Sequence, residues 1–392
     1  MSMKLPPLVE PAAELSAAEI ARYSRHLLLP DVGLEGQKRL KNAKVLAVGA
    51  GGLGSPVLLY LAAAGVGTLG VVEFDVVDAS NLQRQIIHGV SDVGRPKGES
   101  ARDAIREINP HVEVRLHSER LDADNALSLF AQYDLIVDGT DNFATRYLVN
   151  DACVLAGKPY VWGSIYRFEG QASVFWENAP GDAGLNYRDL YPEPPPPHLA
   201  PSCSEGGVLG ILCASIGSIM ATEAVKLITG LGESLLGRLA VYDALEMNYR
   251  FITLRRDPQR TPITELADYE FFCGLTATTQ DSAPSVPSID AHELKQWRDN
   301  AKDFQLIDVR ETTEWDIVRI AGARHIPQSR LLDEEILVTL NRDAPIVLHC
   351  KSGARSQRAL QSLRERGFDN VHNLDGGILA WIRDVDSSLP SY

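Results

Sequence analysis

The stretch KVLAVGAGGLGSPVLLYLAAA, Lys44 to Ala64, decides how this chain is read. Val45 to Val48 is an apolar run of strand length, and Pro56 to Ala64 has the length and composition of a helix. Between them lies the glycine turn Gly49-Ala-Gly51-Gly52-Leu-Gly54. Strand, turn and helix N-terminus together make a phosphate cradle, because glycines let backbone N–H groups approach an anion and the helix dipole favours negative charge there. The same pattern serves nicotinamide and flavin sites, so the residues around it must separate the possibilities.

Composition narrows them first. A chain of 392 residues suggests roughly two or three domains. Hydrophobic residues at 45% and charged residues at 23% describe an ordinary globular chain. The net charge of −14 argues against nucleic acid as a partner, which would call for a basic surface. The opening MSMKLPPLVEPAAEL has no apolar signal segment. Val208 to Met220, the longest apolar stretch, is interrupted by Gly and Ser and is too short to span a bilayer, so no membrane is expected. Five scattered cysteines make no disulfide framework, and the expected compartment is the reducing cytoplasm.

Working outward from the turn, Leu15 to Leu29 reads as a helix with Ser16 at its N-cap, and it carries Arg22-Tyr-Ser-Arg25. Thr68 to Asp75 is a second strand that ends in acids. An acid about 20 residues past the glycine turn is the expected ribose ligand of a Rossmann-like unit, and Asp75 fits it, with Glu73 as runner-up. Then come Ser80-Asn81-Leu-Gln-Arg84 and Pro96-Lys97. A dinucleotide pyrophosphate can be held by backbone N–H groups alone, whereas a triphosphate under attack needs cations where charge develops. Arg84 and Lys97 answer that need. The strand Asp134 to Asp138 opens into Gly-Thr-Asp141-Asn142 at the carboxyl edge of a parallel sheet, where such sheets bind ligands. A carboxylate facing a triphosphate there is tolerated if Mg²⁺ lies between them, which makes Asp141 the candidate metal bridge.

Beyond the alternating βα units, Tyr160 to Trp176 reads as an antiparallel pair. Residues 177 to 206 form a long Gly- and Pro-rich loop with Cys203 near its end. Val208 to Thr229 is a helix apolar nearly all round, expected in the core or a subunit interface. Residues 257 to 286 have linker composition. After them Ile346-Val-Leu-His349 runs straight into Cys350-Lys-Ser-Gly-Ala-Arg355 and a helix. A loop of N–H groups with a helix dipole and Arg355 would stabilise an anionic sulfur and lower the pKa of Cys350. Cysteine-dependent phosphatases use a longer loop that wraps a phosphate. Here four residues separate Cys350 from Arg355, a ring suited to one extra sulfur atom, a persulfide. Cys153 and Cys213 sit in apolar helical contexts and read as core residues.

These motifs together resemble a known family. Residues 15 to 256 resemble the MoeB/ThiF adenylyltransferases, relatives of ubiquitin-activating enzymes, and residues 287 to 392 resemble a rhodanese. The fusion is similar to the MoeZ-type adenylyltransferase/sulfurtransferases. The resemblance implies an α/β fold: a Rossmann-like adenylation domain with a mostly parallel sheet (1–256), a linker (257–286) and a small α/β rhodanese domain (287–392). It also implies ATP-dependent adenylation of the C-terminal glycine of a small ubiquitin-fold sulfur carrier ending in Gly-Gly. A rhodanese persulfide, loaded from thiosulfate or a cysteine desulfurase, then supplies the sulfur of a carrier thiocarboxylate.

Carried over by motif, Gly49, Gly51, Gly52 and Gly54 cradle phosphate and Asp75 holds ribose. Ser80 belongs to the phosphate motif, in which Asn81, Arg84 and Lys97 hold the phosphates, and Asp141 and Asn142 serve Mg²⁺ and the reacting phosphate. Arg25 would reach a neighbouring subunit's site, which implies a homodimer. Cys203 aligns with a crossover-loop cysteine proposed to bond the substrate, and Cys350 carries the persulfide. Relatives usually bind structural zinc through two Cys-x-x-Cys pairs. Those pairs would fall at Asn186 to Asp189 and near Asp257 to Arg260, where no cysteine stands, so no zinc is expected. Two other readings remain open. An NAD-dependent oxidoreductase with an appended sulfur domain would leave Arg84 and Lys97 without a task. A non-catalytic carrier-binding module would not need the phosphate residues at all.

Overall fold

The computed structural model describes residues 4–195, 206–273 and 287–392. The chain falls into two compact units that divide between residues 278 and 279. The expected α/β architecture is present in both.

The first unit is built on eight strands: β1 (Lys44–Val48), β2 (Thr68–Val72), β3 (Glu113–His117), β4 (Leu135–Asp138), β5 (Tyr160–Tyr166), β6 (Glu169–Phe175), β7 (Arg238–Asp243) and β8 (Asn248–Thr253). Their order is β3-β2-β1-β4-β5-β6-β7-β8, parallel from β3 to β5 and antiparallel from there on. Alternate side chains of β1 enter different cores. Val45 and Ala47 pack on one face of the sheet and Leu46 and Val48 on the other, as a parallel strand covered on both faces requires. The chain reverses its direction of travel across the sheet between β1 and β4. That opens a crevice at their carboxyl ends, where open α/β sheets bind ligands.

The helix Gly210–Thr229 packs on the helix Gly54–Ala64 and on β5 and β6. It begins two residues after the expected Val208. Its 20 residues are long and apolar enough to cross a membrane by length and composition alone, although the apolar stretch Val208 to Met220 reads as too short to do so. More than half of it is buried inside the unit, with Leu212, Ile216 and Met220 in the core. Ser16 caps the first helix through a reciprocal box with Glu19, but that helix runs only Ala17–Arg22 and restarts at Ser24–Leu27.

Residues 257–273, linker-like in composition, are mostly exposed up to residue 268 but are tied to the first unit at Arg260, Tyr269 and Cys273. Tyr269 donates its hydroxyl to Asp151 Oδ2 at 2.8 Å, and Cys273 is buried in the same core cluster as Tyr147. Where the zinc pairs of the resemblance would fall, the structure holds a carboxylate clamp. Arg260 donates to both Glu177 oxygens at 2.7 Å and also to Asp189. The Asp257 N–H closes on the other Asp189 oxygen at 3.0 Å.

The second unit is a parallel sheet in the order β11-β10-β12-β13-β9. Its strands are β9 (Ser288–Ile289), β10 (Gln305–Asp308), β11 (Arg324–His325), β12 (Ile346–His349) and β13 (Val371–Leu374). β12 lies in the middle and delivers Cys350 at its carboxyl end.

Candidate functional sites

In the first unit the crevice is a cleft of about 470 Å³ lined by residues of several elements. Its floor is the turn after β1. The Gly49 carbonyl oxygen would lie 2.0 Å from a Cβ at Gly54, so only glycine lets the loop close onto the helix start. Glu73, which follows β2, accepts the Ala50 N–H at 2.9 Å and the N–H groups of Phe74 and Asp75 at 3.0 Å. The runner-up acid thus braces the glycine turn, and Asp75 is left with its side chain more than half exposed.

Asp75, Arg84, Lys97, Asp141 and Asn142 all line this cleft, with Gly49, Gly51 and Gly52. Lys97 is buried and its Nζ lies 3.1 Å from Asp75 Oδ2. Ser80 and Asn81 are not among the lining residues. Asp78 accepts from Ser80 N at 2.8 Å, and Asn81 Oδ1 accepts from Asp78 N at 3.2 Å. Their short helical turn serves instead to set Arg84, whose N–H meets the Asn81 carbonyl at 3.0 Å.

Asn142 caps the helix Phe143–Ala156 by accepting the Thr145 N–H at 2.9 Å. The cap uses one lone pair of the amide oxygen and leaves the N–H₂ group free to donate to a phosphate oxygen. Asp141 is exposed and lines the cleft, and its carboxylate has no partner among the described residues. A hard oxygen ligand open to the cleft fits Mg²⁺.

Sequence reasoning overlooked Arg120, Gln85 and Arg146, which also line the cleft. Arg146 stands four positions after Asn142, one helical turn on, and that spacing was the available signal. Arg25 lies on the surface, outside its own chain's cleft. Cys203 lies outside the described residues.

In the second unit Cys350 is buried, and its Sγ accepts from Gly353 N at 3.2 Å and from the Ser356 hydroxyl at 3.5 Å. Gly353 has φ +98, a left-handed conformation that turns its N–H inward to the sulfur. The loop carbonyls of Cys350 and Lys351 are taken by the first N–H groups of the helix Gly377–Asp384, at 2.9 and 3.2 Å from Ile378 and Leu379.

Arg355 is engaged differently from the sequence expectation. It forms a two-pronged pair with Glu314 at 2.6 and 2.7 Å, so its charge is matched by a carboxylate as well as lying near the loop. Burial works to raise the Glu314 carboxyl, yet the Arg355 bonds hold it below the usual range. Tyr392 donates to Glu314 Oε1 at 2.9 Å and accepts from Arg310 at 2.6 Å, while Lys351 sits over its ring at 4.6 Å. Nothing in the local sequence announced Glu314 or Tyr392, which reach Arg355 only through the fold.

Comparison with known proteins agrees with this anatomy. Residues 23–262 match the ThiF family and residues 290–384 the rhodanese-like domain. The probable adenylyltransferase/sulfurtransferase MoeZ of Mycobacterium tuberculosis is 64% identical over 392 residues, with 100% of each chain covered. The adenylyltransferase and sulfurtransferase MOCS3 of Drosophila yakuba is 43% identical over 97% of this chain and 86% of its own length. Among solved structures, E. coli MccB with MccA-N7isoASN aligns at TM-score 0.54 and 23% identity, covering 61% of this chain and 74% of that one. MccB with ATP aligns at TM-score 0.53 and 23% identity, over 61% and 73%. At that identity the two MccB structures speak for the fold alone.

Proposed function

We propose, from the premise that the chain belongs to the ThiF family and carries a rhodanese-like domain, that it is an adenylyltransferase and sulfurtransferase acting on ubiquitin-like sulfur carriers. One observation carries the reading. A single chain holds both a phosphate cleft lined by Arg84, Lys97 and Asp141 and a cysteine whose sulfur is cupped by loop N–H groups.

A carboxylate is a poor electrophile at neutral pH, so ATP must supply a leaving group. The carrier's C-terminal glycine carboxylate attacks the α-phosphorus, pyrophosphate leaves, and an acyl-adenylate remains. The glycine turn, Arg84 and Lys97 take the charge that develops on the phosphates. Asp141 is the residue that would hold Mg²⁺, which neutralises phosphate charge when bound.

In the second unit Cys350 takes one sulfur atom from thiosulfate, releasing sulfite, or from a desulfurase persulfide. Its terminal sulfur displaces AMP from the acyl-adenylate and gives an acyl disulfide. A second thiol must then attack the Cys350 sulfur, forming a disulfide and releasing the thiocarboxylate. The stretch before residue 287 links the two steps in one chain and raises the effective concentration of donor. Reducing conditions that keep such thiols free argue for the cytoplasm. Arg25, exposed and away from its own cleft, suits a homodimer in which it serves the neighbouring subunit. The Arg260 clamp occupies the region where relatives place zinc, which supports a fold that needs none.

The test is intact-mass detection of thiocarboxylate on ubiquitin-fold carriers ending in Gly-Gly, with ATP and thiosulfate supplied. Pyrophosphate exchange that depends on the carrier must accompany it. Protection by NAD and not by ATP, or the absence of exchange with every carrier tried, would sink the reading.

A further inference from the structure

Arg146 sits in the first turn of the helix Phe143–Ala156, is 7% exposed and lines the cleft. Its Nε and one Nη donate to the Thr140 carbonyl at 3.3 and 3.0 Å, which fixes the plane of the guanidinium. The rings of Phe143 and Trp162 lie 5.4 and 5.9 Å from its Cζ and keep water away. Among the described residues it makes no salt bridge.

That makes it unlike Lys97 and Arg84. Lys97 is already paired with Asp75, and Arg84 lies nearer solvent with one Nη on the Ser80 carbonyl. Two acids are near: Asp141 lines the same cleft but makes no ion pair with Arg146, and the buried Asp138 does not balance it either. Asp138 Oδ1 is taken by Thr140 N at 3.0 Å and Thr140 Oγ1 at 2.7 Å, and burial pushes its carboxyl up, toward the neutral form. A buried guanidinium without a counter-ion is costly, and an arrangement that holds one rigidly in a ligand cleft is matched to an incoming anion.

We propose that Arg146 receives the C-terminal carboxylate of the carrier and aims it at the α-phosphorus. The nucleotide's own anions are already provided for by the glycine turn, Arg84 and Lys97. Arg146 follows Asp141 and Asn142 in the chain, and Ile165 and Val208 also line the cleft, apolar surface for a glycine tail. The fork of N–H groups left after Thr140 is served matches a planar carboxylate. Holding the nucleophile in line is a positioning role, of the kind that converts a loose encounter into a reactive one.

This inference rests on the adenylyltransferase reading, and the experiment separates the two. Full-length Arg146→Gln and Arg146→Lys are compared with wild type for ATP-analogue binding, carrier-dependent exchange and thermal melting. A carrier ending in Gly-Gly is then titrated as the free acid and as the C-terminal amide. Wild type should prefer the acid, and Arg146→Gln should lose that preference, with a rise of roughly 10²-fold in carrier KM. ATP-analogue affinity should stay within about threefold, and Arg146→Lys should recover part of the carrier KM because it keeps the charge. Weakened ATP binding with an unchanged carrier KM would overturn the proposal, as would an acid preference that survives in Arg146→Gln. A wild type that shows no exchange with any carrier would instead overturn the parent reading and this one with it.

Discussion

Lys97 Nζ lies 3.1 Å from Asp75 Oδ2, so two residues expected to hold different parts of a nucleotide hold each other first. The pair keeps a buried ammonium neutralised until a ligand arrives. Ribose hydroxyls can then take one side of Asp75 while a phosphate takes Lys97, each at the expense of a contact already made. Lys97→Met removes the cation and leaves Asp75 to repel phosphate, so carrier-dependent ATP–pyrophosphate exchange should fall by roughly 10²–10³-fold. Arg84→Ala should fall comparably. Cys350→Ala should keep exchange and lose thiocarboxylate formation, because its residue belongs to the other unit. Equal loss of exchange in all three variants would refute the division of labour.

The Arg260 clamp gives a prediction about stability. Arg260, Glu177 and Asp189 have side chains 9%, 15% and 0% exposed, and together they tie three separate segments. Arg260→Met leaves the buried Asp189 without its cation and Glu177 with only the half-exposed Arg256, which should cost about 3 kcal/mol of the first unit's stability. Arg256 also reaches Glu177, but its side chain is 56% exposed, so Arg256→Ala should cost well under 1 kcal/mol, roughly the value of a surface pair. Urea unfolding followed by tryptophan fluorescence measures both. Chelator should shift neither midpoint, and a chelator-sensitive midpoint in wild type would show that a metal holds this corner after all.

Much of this was legible because local chemistry and global fold agree. The glycine turn, the strand that precedes it and the apolar runs of β4 and β12 fix where a parallel sheet presents its carboxyl edge. Asp141, Arg84 and Lys97 could be placed because each follows such a strand or its turn. What the chain hid were contacts across long sequence separations. Glu314 and Arg355 are 41 residues apart, and Arg260 and Asp189 are 71 apart. No periodicity records such pairs. The turn-rich composition of residues 257–273 likewise gives no sign that Tyr269 will reach Asp151.

The Glu314 pair yields a prediction for sulfur transfer. Glu314→Gln removes the carboxylate that holds Arg355 and leaves that guanidinium to swing toward the Cys350 loop or into water. Thiosulfate sulfurtransferase activity should drop by roughly tenfold, the scale of one lost charged hydrogen bond. Tyr392→Phe deletes only the hydroxyl shared between Arg310 and Glu314, and a fall of about twofold to fivefold is expected. The ATP-dependent exchange of both variants should be that of wild type. Full sulfurtransferase activity in Glu314→Gln would mean that the ion pair is structural ornament and that Arg355 needs no partner.

Four buried or half-buried histidines set the pH dependence of folding. His349 is fully enclosed beneath Cys350, with Nδ1 3.4 Å from the Cys350 carbonyl and Nε2 3.6 Å from Asp308 Oδ2. Burial pushes its pKa down, and the opposing Asp308 carboxylate does not restore it. His88, between Ser100 Oγ at 2.8 Å and the Ala50 carbonyl at 3.2 Å, is shifted the same way by burial, as are His117 and His372. A base whose folded pKa lies below its unfolded value of about 6.5 is neutral in the fold and takes up protons on unfolding. Stability is therefore fully present above about pH 6.5 and is lost as pH falls from there toward the folded values. The depressed carboxyls of Asp308 and Glu314 act lower, their share lost only as pH drops below about 4. Urea midpoints should thus fall between pH 7 and 5 with no contribution from those acids. His349→Gln should flatten the slope of the second unit's transition while leaving that of the first. A wild-type midpoint constant over that range, or a slope unchanged in the variant, would show that His349 is not the proton acceptor that unfolding exposes.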